Sequence, residues 1–194
     1  MKIILASKSG VRKQILDKYD IDNEVIVSNV DEDEIKESLL AEGANPLTIS
    51  KNLAEIKSIK VSNKQPNRLV LGADSVIALN EELINKPNSR EEAFEILKKL
   101  NNSKHHLISS VCISKNGAMI WNHTESSELK MKNLTNEELL LYLSKIKTKT
   151  LLAYGVYQIE AEGLELFEYV KGDMDSIMGL PVKEIKSYIE QFKK

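Results

Sequence analysis

The sequence predicts a mixed-sheet α/β fold, and three observations carry that reading. Short apolar runs bounded by turn residues alternate with helical periodicity along the whole chain. Asn116-Gly117, set between two such runs, is the signature of a tight antiparallel hairpin. Elsewhere a strand feeds a loop and then a helix, the crossover connection that parallel strands need.

Composition bounds the function classes. A chain of 194 residues suits one domain, taken as residues 1–194, and 42% hydrophobic with 29% charged residues is ordinary for a soluble globular protein. A net charge of −2 argues against a grip on nucleic acid polymers through their backbones, while leaving room for a local basic pocket. Cys112 is the single cysteine, so no intramolecular disulfide is available, and its apolar neighbours suggest a buried structural thiol. The apolar run at Met1–Ala6 is too short for a signal peptide, and no stretch is long enough to span a bilayer. A cytoplasmic protein without membrane contact is expected.

Taken in order, Ile3-Ile4-Leu5-Ala6 reads as a buried strand, followed by Ser7-Lys8-Ser9-Gly10 and a helix carrying Val11, Ile15, Leu16 and Tyr19. A helix start in this setting offers free N–H groups and a positive dipole to an anion. Ser7 and Ser9 add hydroxyls, and Arg12 adds a fork suited to phosphate; Ser9 as a plain N-cap beside a surface arginine is the alternative. Asn23 to Val30 reads as a second strand. Asp31-Glu32-Asp33-Glu34 then opens a helix, or lends one carboxylate to a divalent cation. Asn45-Pro46-Leu47-Thr48 starts a helix through Ile49, Leu53 and Ile56, whose Lys51, Lys57 and Lys60 are expected mostly in solvent.

Leu69 to Ile77 is a strand interrupted by Gly72-Ala73-Asp74-Ser75. An unpaired buried charge costs several kcal/mol, so Asp74 either faces a wet cleft or pairs with a cation or metal. An aspartate capping the next turn is the alternative. Leu83-Ile84 returns, then Lys86-Pro87, then a capping box at Ser89–Glu92 opening a helix with Ala93, Ile96, Leu97 and Leu100 on its apolar face. Strands follow at His105–Ile113, Ala118–Trp121 and Thr124–Met131. The adjacent His105 and His106 point to opposite faces of a strand and so argue only weakly for metal. Thr135–Glu138 is a second capping box, opening a helix through Leu139, Leu140 and Leu143. The chain closes on an amphipathic helix with Ile185, Tyr188, Ile189 and Phe192. These residue types suit phosphate chemistry with a divalent metal, since cations neutralise phosphate and a carboxylate can orient or deprotonate water.

Leu5-Ala6-Ser7-x-Ser9-x-x-Arg12, Gly72-Ala73-Asp74-Ser75, Lys86-Pro87, His105-x-Leu107-x-Ser109, Gly155-x-Tyr157-x-Ile159-Glu160 and Gly179-Leu180-Pro181 recur in this order in the Maf family of nucleoside triphosphate pyrophosphatases. The chain resembles that family over nearly its whole length. The resemblance implies an elongated, twisted mixed β-sheet flanked by helices, with two lobes around a central cleft, as in Maf and inosine triphosphatase folds, often as a homodimer. It implies hydrolysis of the α–β phosphoanhydride of non-standard or excess nucleoside triphosphates to monophosphate and pyrophosphate, with Mg²⁺ or Mn²⁺. Asp74 corresponds to the water-activating or metal-linked carboxylate, Ser7, Ser9 and Arg12 to the phosphate loop, and Lys57 and Lys86 to phosphate-contacting lysines. Glu32 corresponds to the acidic metal candidate. Val11, Ser75 and Glu160 fall at positions tied to base specificity. Gly10-Val11-Arg12 stands where the family usually has Pro-Arg-Arg, and Asp74-Ser75 where it often has Asp-Thr. Glu160, with glutamine in the pyrimidine-selective branch, resembles the branch acting on 7-methylguanosine triphosphate. The alternative from another class is a nucleotide-binding regulator of septum formation with little catalysis.

Overall fold

Three consecutive buried apolar residues, Ile3–Leu5, form strand β1 of a computed structural model that describes residues 1–159 and 161–192. β1 lies parallel to β2 (Asn23–Val25) on one side and to β3 (Val70–Leu79) on the other. Beyond β3 the pairing turns antiparallel, through β5 (Lys104–Lys115), β6 (Ala118–Met131) and β7 (Phe167–Lys171), while β4 (Glu82–Ile84) folds back on the end of β3. The result is one mixed sheet of seven strands, in the order β2-β1-β3-β5-β6-β7 with β4 beside β3. Helices α1 (Gly10–Lys18), α2 (Glu32–Ala41) and α3 (Pro46–Ser62) fill the connections around the parallel strands. The later helices are α4 (Arg90–Leu100), α5 (Asn136–Lys145), α6 (Thr148–Tyr154), α7 (Met174–Ile177) and α8 (Val182–Glu190).

Local sequence explains the element ends. Ser9 caps α1, Asn45 caps α3 with Pro46 in its first turn, and Thr135 with Glu138 forms a complete capping box on α5. Asn116 and Gly117, with φ of 52° and 76°, take the left-handed conformations that a two-residue hairpin turn requires. Apolar side chains gather into two main clusters. One contains Leu5, Leu16, Leu71, Ile113 and Ile185, and the other Leu79, Leu97, Leu100, Leu129 and Phe167. The sheet runs through both, and a cleft lined from both clusters lies between them.

The topology leaves an opening in the middle of the sheet. On the edge of β3 away from β5, β1 covers Val70 and Leu71 and β4 covers Ile77 to Leu79. Among the described residues, no strand pairs with Gly72–Val76 on that edge, and Asp74 sits in the gap. Gly72, two residues before Asp74 and so on the same face, lets α3 lie directly on β3. A Cβ there would fall 2.1 Å from the Ala54 carbonyl oxygen and 2.8 Å from the Ser58 nitrogen.

Several expectations are corrected. The second strand stops at Val25 rather than Val30, because β1 ends at Leu5 and the Ile26 N–H to the Leu5 carbonyl is its last ladder bond. Residues 26–31 are instead irregular chain, of which Val27, Ser28, Asn29 and Val30 line the cleft. Ala118–Trp121 and Thr124–Met131 are one continuous strand. At Ser89 the box is half formed, since the Glu92 carboxylate accepts from the Asn88 N–H. On α5, Tyr142 faces inward with Leu139 and Leu143, leaving Leu140 exposed. Phe192 is likewise exposed.

Candidate active site

Asp74 projects from the stretch of β3 that is paired on one edge alone, to β5, and is 5% exposed. Its Oδ1 accepts from the Lys57 ammonium at 2.8 Å, and the same ammonium lies 2.9 Å from Glu32 Oε1. Lys57 is 4% exposed, so the expectation that the α3 lysines are mostly solvated fails here, although Lys51 and Lys60 are exposed. The reason is local: α3 packs onto β3 over Gly72, and the carboxylate compensates the buried ammonium. Glu32 is the first residue of α2, behind the Asp31 N-cap. Its burial raises the carboxyl pKa, but the Lys57 charge and hydrogen bond, with Lys86 and Lys36, outweigh that and hold it below the usual range. Three elements distant in sequence thus meet at one ammonium.

The phosphate-loop candidates stand alongside. Ser7 Oγ accepts from the Ser9 N–H and from Arg12, and Ser9 Oγ caps α1 by accepting from the Arg12 N–H. Amides of a helix's first turn have no intrahelical acceptor and remain suited to an anion. Arg12 is more committed than a phosphate fork. Its Nε donates to the Gly179 carbonyl at 2.9 Å, Nη1 to Ala73 O at 3.0 Å and Ser7 Oγ at 3.2 Å, and Nη2 to Ser75 Oγ at 3.1 Å. Four of the five guanidinium N–H groups are thereby engaged. Burial lowers its pKa, against the raising influence of the Asp74 and Glu32 charges.

Lys86 donates to the Ala153 carbonyl at 3.1 Å. Desolvation lowers its pKa most; Arg12 and Lys36 act in the same direction, and Glu32 and Asp74 oppose. Ser75 Oγ also pairs with Ser109 Oγ at 2.9 Å, and Val11 lines the cleft while packing on the first cluster. Glu160 lies outside the described residues.

The cleft these residues share has a volume of about 400 Å³. Among the described residues, Lys8, Arg12, Lys36, Lys57 and Lys86 line it against two carboxylates, Glu32 and Asp74, so a chain of negative net charge presents a cationic pocket there. The apolar part of the lining includes Leu107, Val156, Tyr157, Ile159 and Met178. Sequence reasoning missed Lys8 and Lys36. Lys36 was findable, standing four residues after Glu32 and so on the same face of α2.

A divalent cation fits the donor set. Asp74 Oδ2 is buried without a hydrogen-bond partner, and Glu32 shares the ammonium that holds Oδ1. Among the described residues no group of three or more His, Cys, Asp or Glu side chains is placed to hold a metal by itself. Two carboxylates completed by phosphate oxygens is the usual arrangement for Mg²⁺. The histidine pair behaves as its strand spacing predicts, with His105 buried and His106 exposed. Cys112 is buried and its thiol pKa raised chiefly by desolvation, as expected of a structural thiol.

Comparison with known proteins agrees with the motifs. The Maf-like protein family matches residues 2–192. A nucleoside triphosphate pyrophosphatase of Pelagibacter ubique (strain HTCC1062) is 59% identical over 192 residues, covering 99% of this chain and 98% of that one. A 7-methyl-GTP pyrophosphatase of Brucella abortus biovar 1 (strain 9-941) is 32% identical over 193 residues, covering 100% and 97%. Among solved structures, a HAM1 protein from Coxiella burnetii aligns with a TM-score of 0.45 at 14% identity, over 69% of this chain and 74% of that one.

Proposed function

We propose, from the premise that this chain belongs to the Maf family, that it is a nucleoside triphosphate pyrophosphatase cleaving the α–β phosphoanhydride with Asp74 as the base. The observation that carries this reading is the Asp74–Lys57–Glu32 constellation on the open edge of β3, inside a cationic cleft.

Lys57 fixes Asp74 through Oδ1 and leaves Oδ2 to take the proton of a water. As that water's oxygen bonds to the α-phosphorus, the bond to the α–β bridging oxygen breaks. The electron pair goes to the bridging oxygen, pyrophosphate leaves, and the water proton rests on Asp74. Lys8, Lys36 and Lys86 offset the charge of the triphosphate, and the α1 amides with Ser7 and Ser9 orient it. A divalent cation, Mg²⁺ or Mn²⁺, held by Asp74 and Glu32, would further neutralise the phosphates.

The base would lie against the apolar wall. Glu160 and the Brucella relative support a preference for 7-methyl-GTP, since a carboxylate can balance the positively charged methylated purine. We place the protein in the cytoplasm as a homodimer that binds neither nucleic acid polymers nor membranes; the −2 net charge supports the former exclusion. The test is pyrophosphate release across a nucleotide panel that includes 7-methyl-GTP, with and without Mg²⁺ or Mn²⁺. Asp74→Asn is expected to slow turnover by ~10²–10⁴-fold. Near-normal turnover in that variant removes Asp74 from the chemistry, and nucleotide binding without any release favours a regulator.

A further inference from the structure

Tyr157 belongs to the cleft wall, yet its hydroxyl is bonded to the sheet. It lies 2.9 Å from Nε2 of His105, a residue of β5 with no exposed surface. Phe167 of β7 closes the cluster, edge-on to Tyr157 at a centroid distance of 4.9 Å and tilted against His105 at 5.8 Å. Burial, with His106 acting the same way and the Ser103 backbone opposing, lowers the imidazole pKa to about 4. His105 is therefore neutral at pH 7. It is no counter-ion for phosphate, and it stands behind the wall rather than in the cleft.

The wall it supports needs such a support. Gly155–Ile159 follows the end of α6 without regular secondary structure, so no ladder sets its shape. Gly155, with a φ of 101°, starts the segment in a conformation that favours glycine. Val156, Tyr157 and Ile159 are buried, while Gln158 between them is partly exposed and lines the cleft. Apolar packing is non-directional and tolerates sliding; the His105–Tyr157 hydrogen bond is directional and fixes where the ring sits.

We propose that His105 is a positioning residue for nucleobase recognition, holding Tyr157, and through it the Gly155–Ile159 wall, at a set place on the sheet. The proposal rests on the reading that the cleft takes nucleoside triphosphates with the base at its apolar end. Losing the bond should blur contacts with the base and leave contacts with the phosphates intact.

The experiment compares two ligands by calorimetry: an α,β-methylene nucleoside triphosphate, which cannot be cleaved at that bond, and inorganic tripolyphosphate. Tyr157→Phe removes one oxygen and keeps the ring. His105→Leu removes the partner, and His105→Gln restores an amide nitrogen near the Nε2 position. Tyr157→Phe and His105→Leu are expected to weaken nucleotide binding by about 2- to 10-fold, with tripolyphosphate affinity changed less than about 2-fold and His105→Gln recovering most of the loss. Equal weakening of both ligands, or an unchanged nucleotide affinity in Tyr157→Phe, overturns the positioning role. So does a wild-type protein that binds the nucleotide analogue no better than tripolyphosphate. A wild-type protein that binds the analogue selectively but releases no pyrophosphate from any nucleotide overturns the catalytic reading instead, and the positioning role is then judged on binding alone.

Discussion

Gly72 is the least chemical residue near the site, and substituting it tests the architecture most directly. A Cβ at this position would lie 2.1 Å from the Ala54 carbonyl oxygen and 2.9 Å from Ser58 Cβ. Tolerable carbon–oxygen approaches begin near ~3.3 Å, so Gly72→Ala forces α3 and β3 apart by roughly 1.2 Å. The obstacle is backbone, which no rotamer change can relieve. Overpacking of this kind costs about 1–3 kcal/mol, and rigid opposition puts Gly72→Ala at the upper end, about 3 kcal/mol. For a chain of this size that lowers Tm by about 6–12 °C. The same displacement acts on the 2.8 Å Lys57–Asp74 contact, since Lys57 rides on α3 and Asp74 on β3. A misplacement of about 1 Å can lower the rate by ~10²-fold. Leu100→Ala is the control: Leu100 is fully buried in the other cluster, and its truncation costs about 2–5 kcal/mol without touching the cleft. Melting curves and pyrophosphate release, assayed well below both melting points, should show both variants destabilised and only Gly72→Ala slow. A Tm within about 2 °C of wild type refutes the packing argument. A destabilised Gly72→Ala with the turnover of Leu100→Ala refutes the link from Gly72 to the ion pair.

Two further predictions concern stability. His105 titrates near 6.5 in the unfolded chain and at about 4 when folded, so between those values the unfolded state binds more protons and stability falls as pH falls. From pH 7 to pH 5 this amounts to about 2 kcal/mol, and denaturant titrations should show the loss in wild type and a flat response in His105→Gln. Glu32, whose pKa is depressed, loses its contribution as pH falls from the usual glutamate value toward its lower folded one, mostly below this window. Gly10 is the first residue of α1 and follows an extended Ser9, and a Cβ added to it would meet only open space. Gly10→Pro should therefore raise stability by about 0.4–1 kcal/mol, read as a higher denaturation midpoint at unchanged slope.

What the amino-acid sequence disclosed was what neighbouring residues decide. The strand bearing Asp74, the serine loop before α1, the Asn116-Gly117 hairpin and the Thr135 box are short-range patterns, and all were legible. Features set by distant partners were not. β2 is short because β1 ends, which nothing between Asn23 and Val30 records. Lys57 looks like any solvated helix lysine until its carboxylate partner arrives from β3. Gly72 reads as a mere interruption of a strand, and only the path of α3 across it shows why a side chain is excluded. Lys57 and Glu32 were reached through family motifs rather than through their own surroundings.

Arg12 shows how a residue can be located correctly and yet have most of its bonds elsewhere. Its guanidinium donates to the serine loop, to β3 and to the turn after α7, joining three segments that bound the cleft. The donation to Ala73 O supplies part of what an adjacent strand would give in the gap between β1 and β4. Gly179 is matched to it. Its φ of 99° favours glycine, and a Cβ there would stand 3.3 Å from Arg12 Nε and 3.1 Å from Ser75 Oγ. With four N–H groups committed, Arg12 would on the proposed mechanism offer a bound triphosphate its charge and one remaining donor. Val11 stands where the family pattern usually supplies another arginine, so on the proposed mechanism bidentate phosphate recognition has no second source in this loop. Neutralisation on that mechanism then falls to Lys8, Lys36 and Lys86, which act as point charges rather than forks. Point charges place little demand on the orientation of phosphate oxygens. On the proposed mechanism, geometric selection would therefore come from the helix-start amides and from the wall that carries Tyr157.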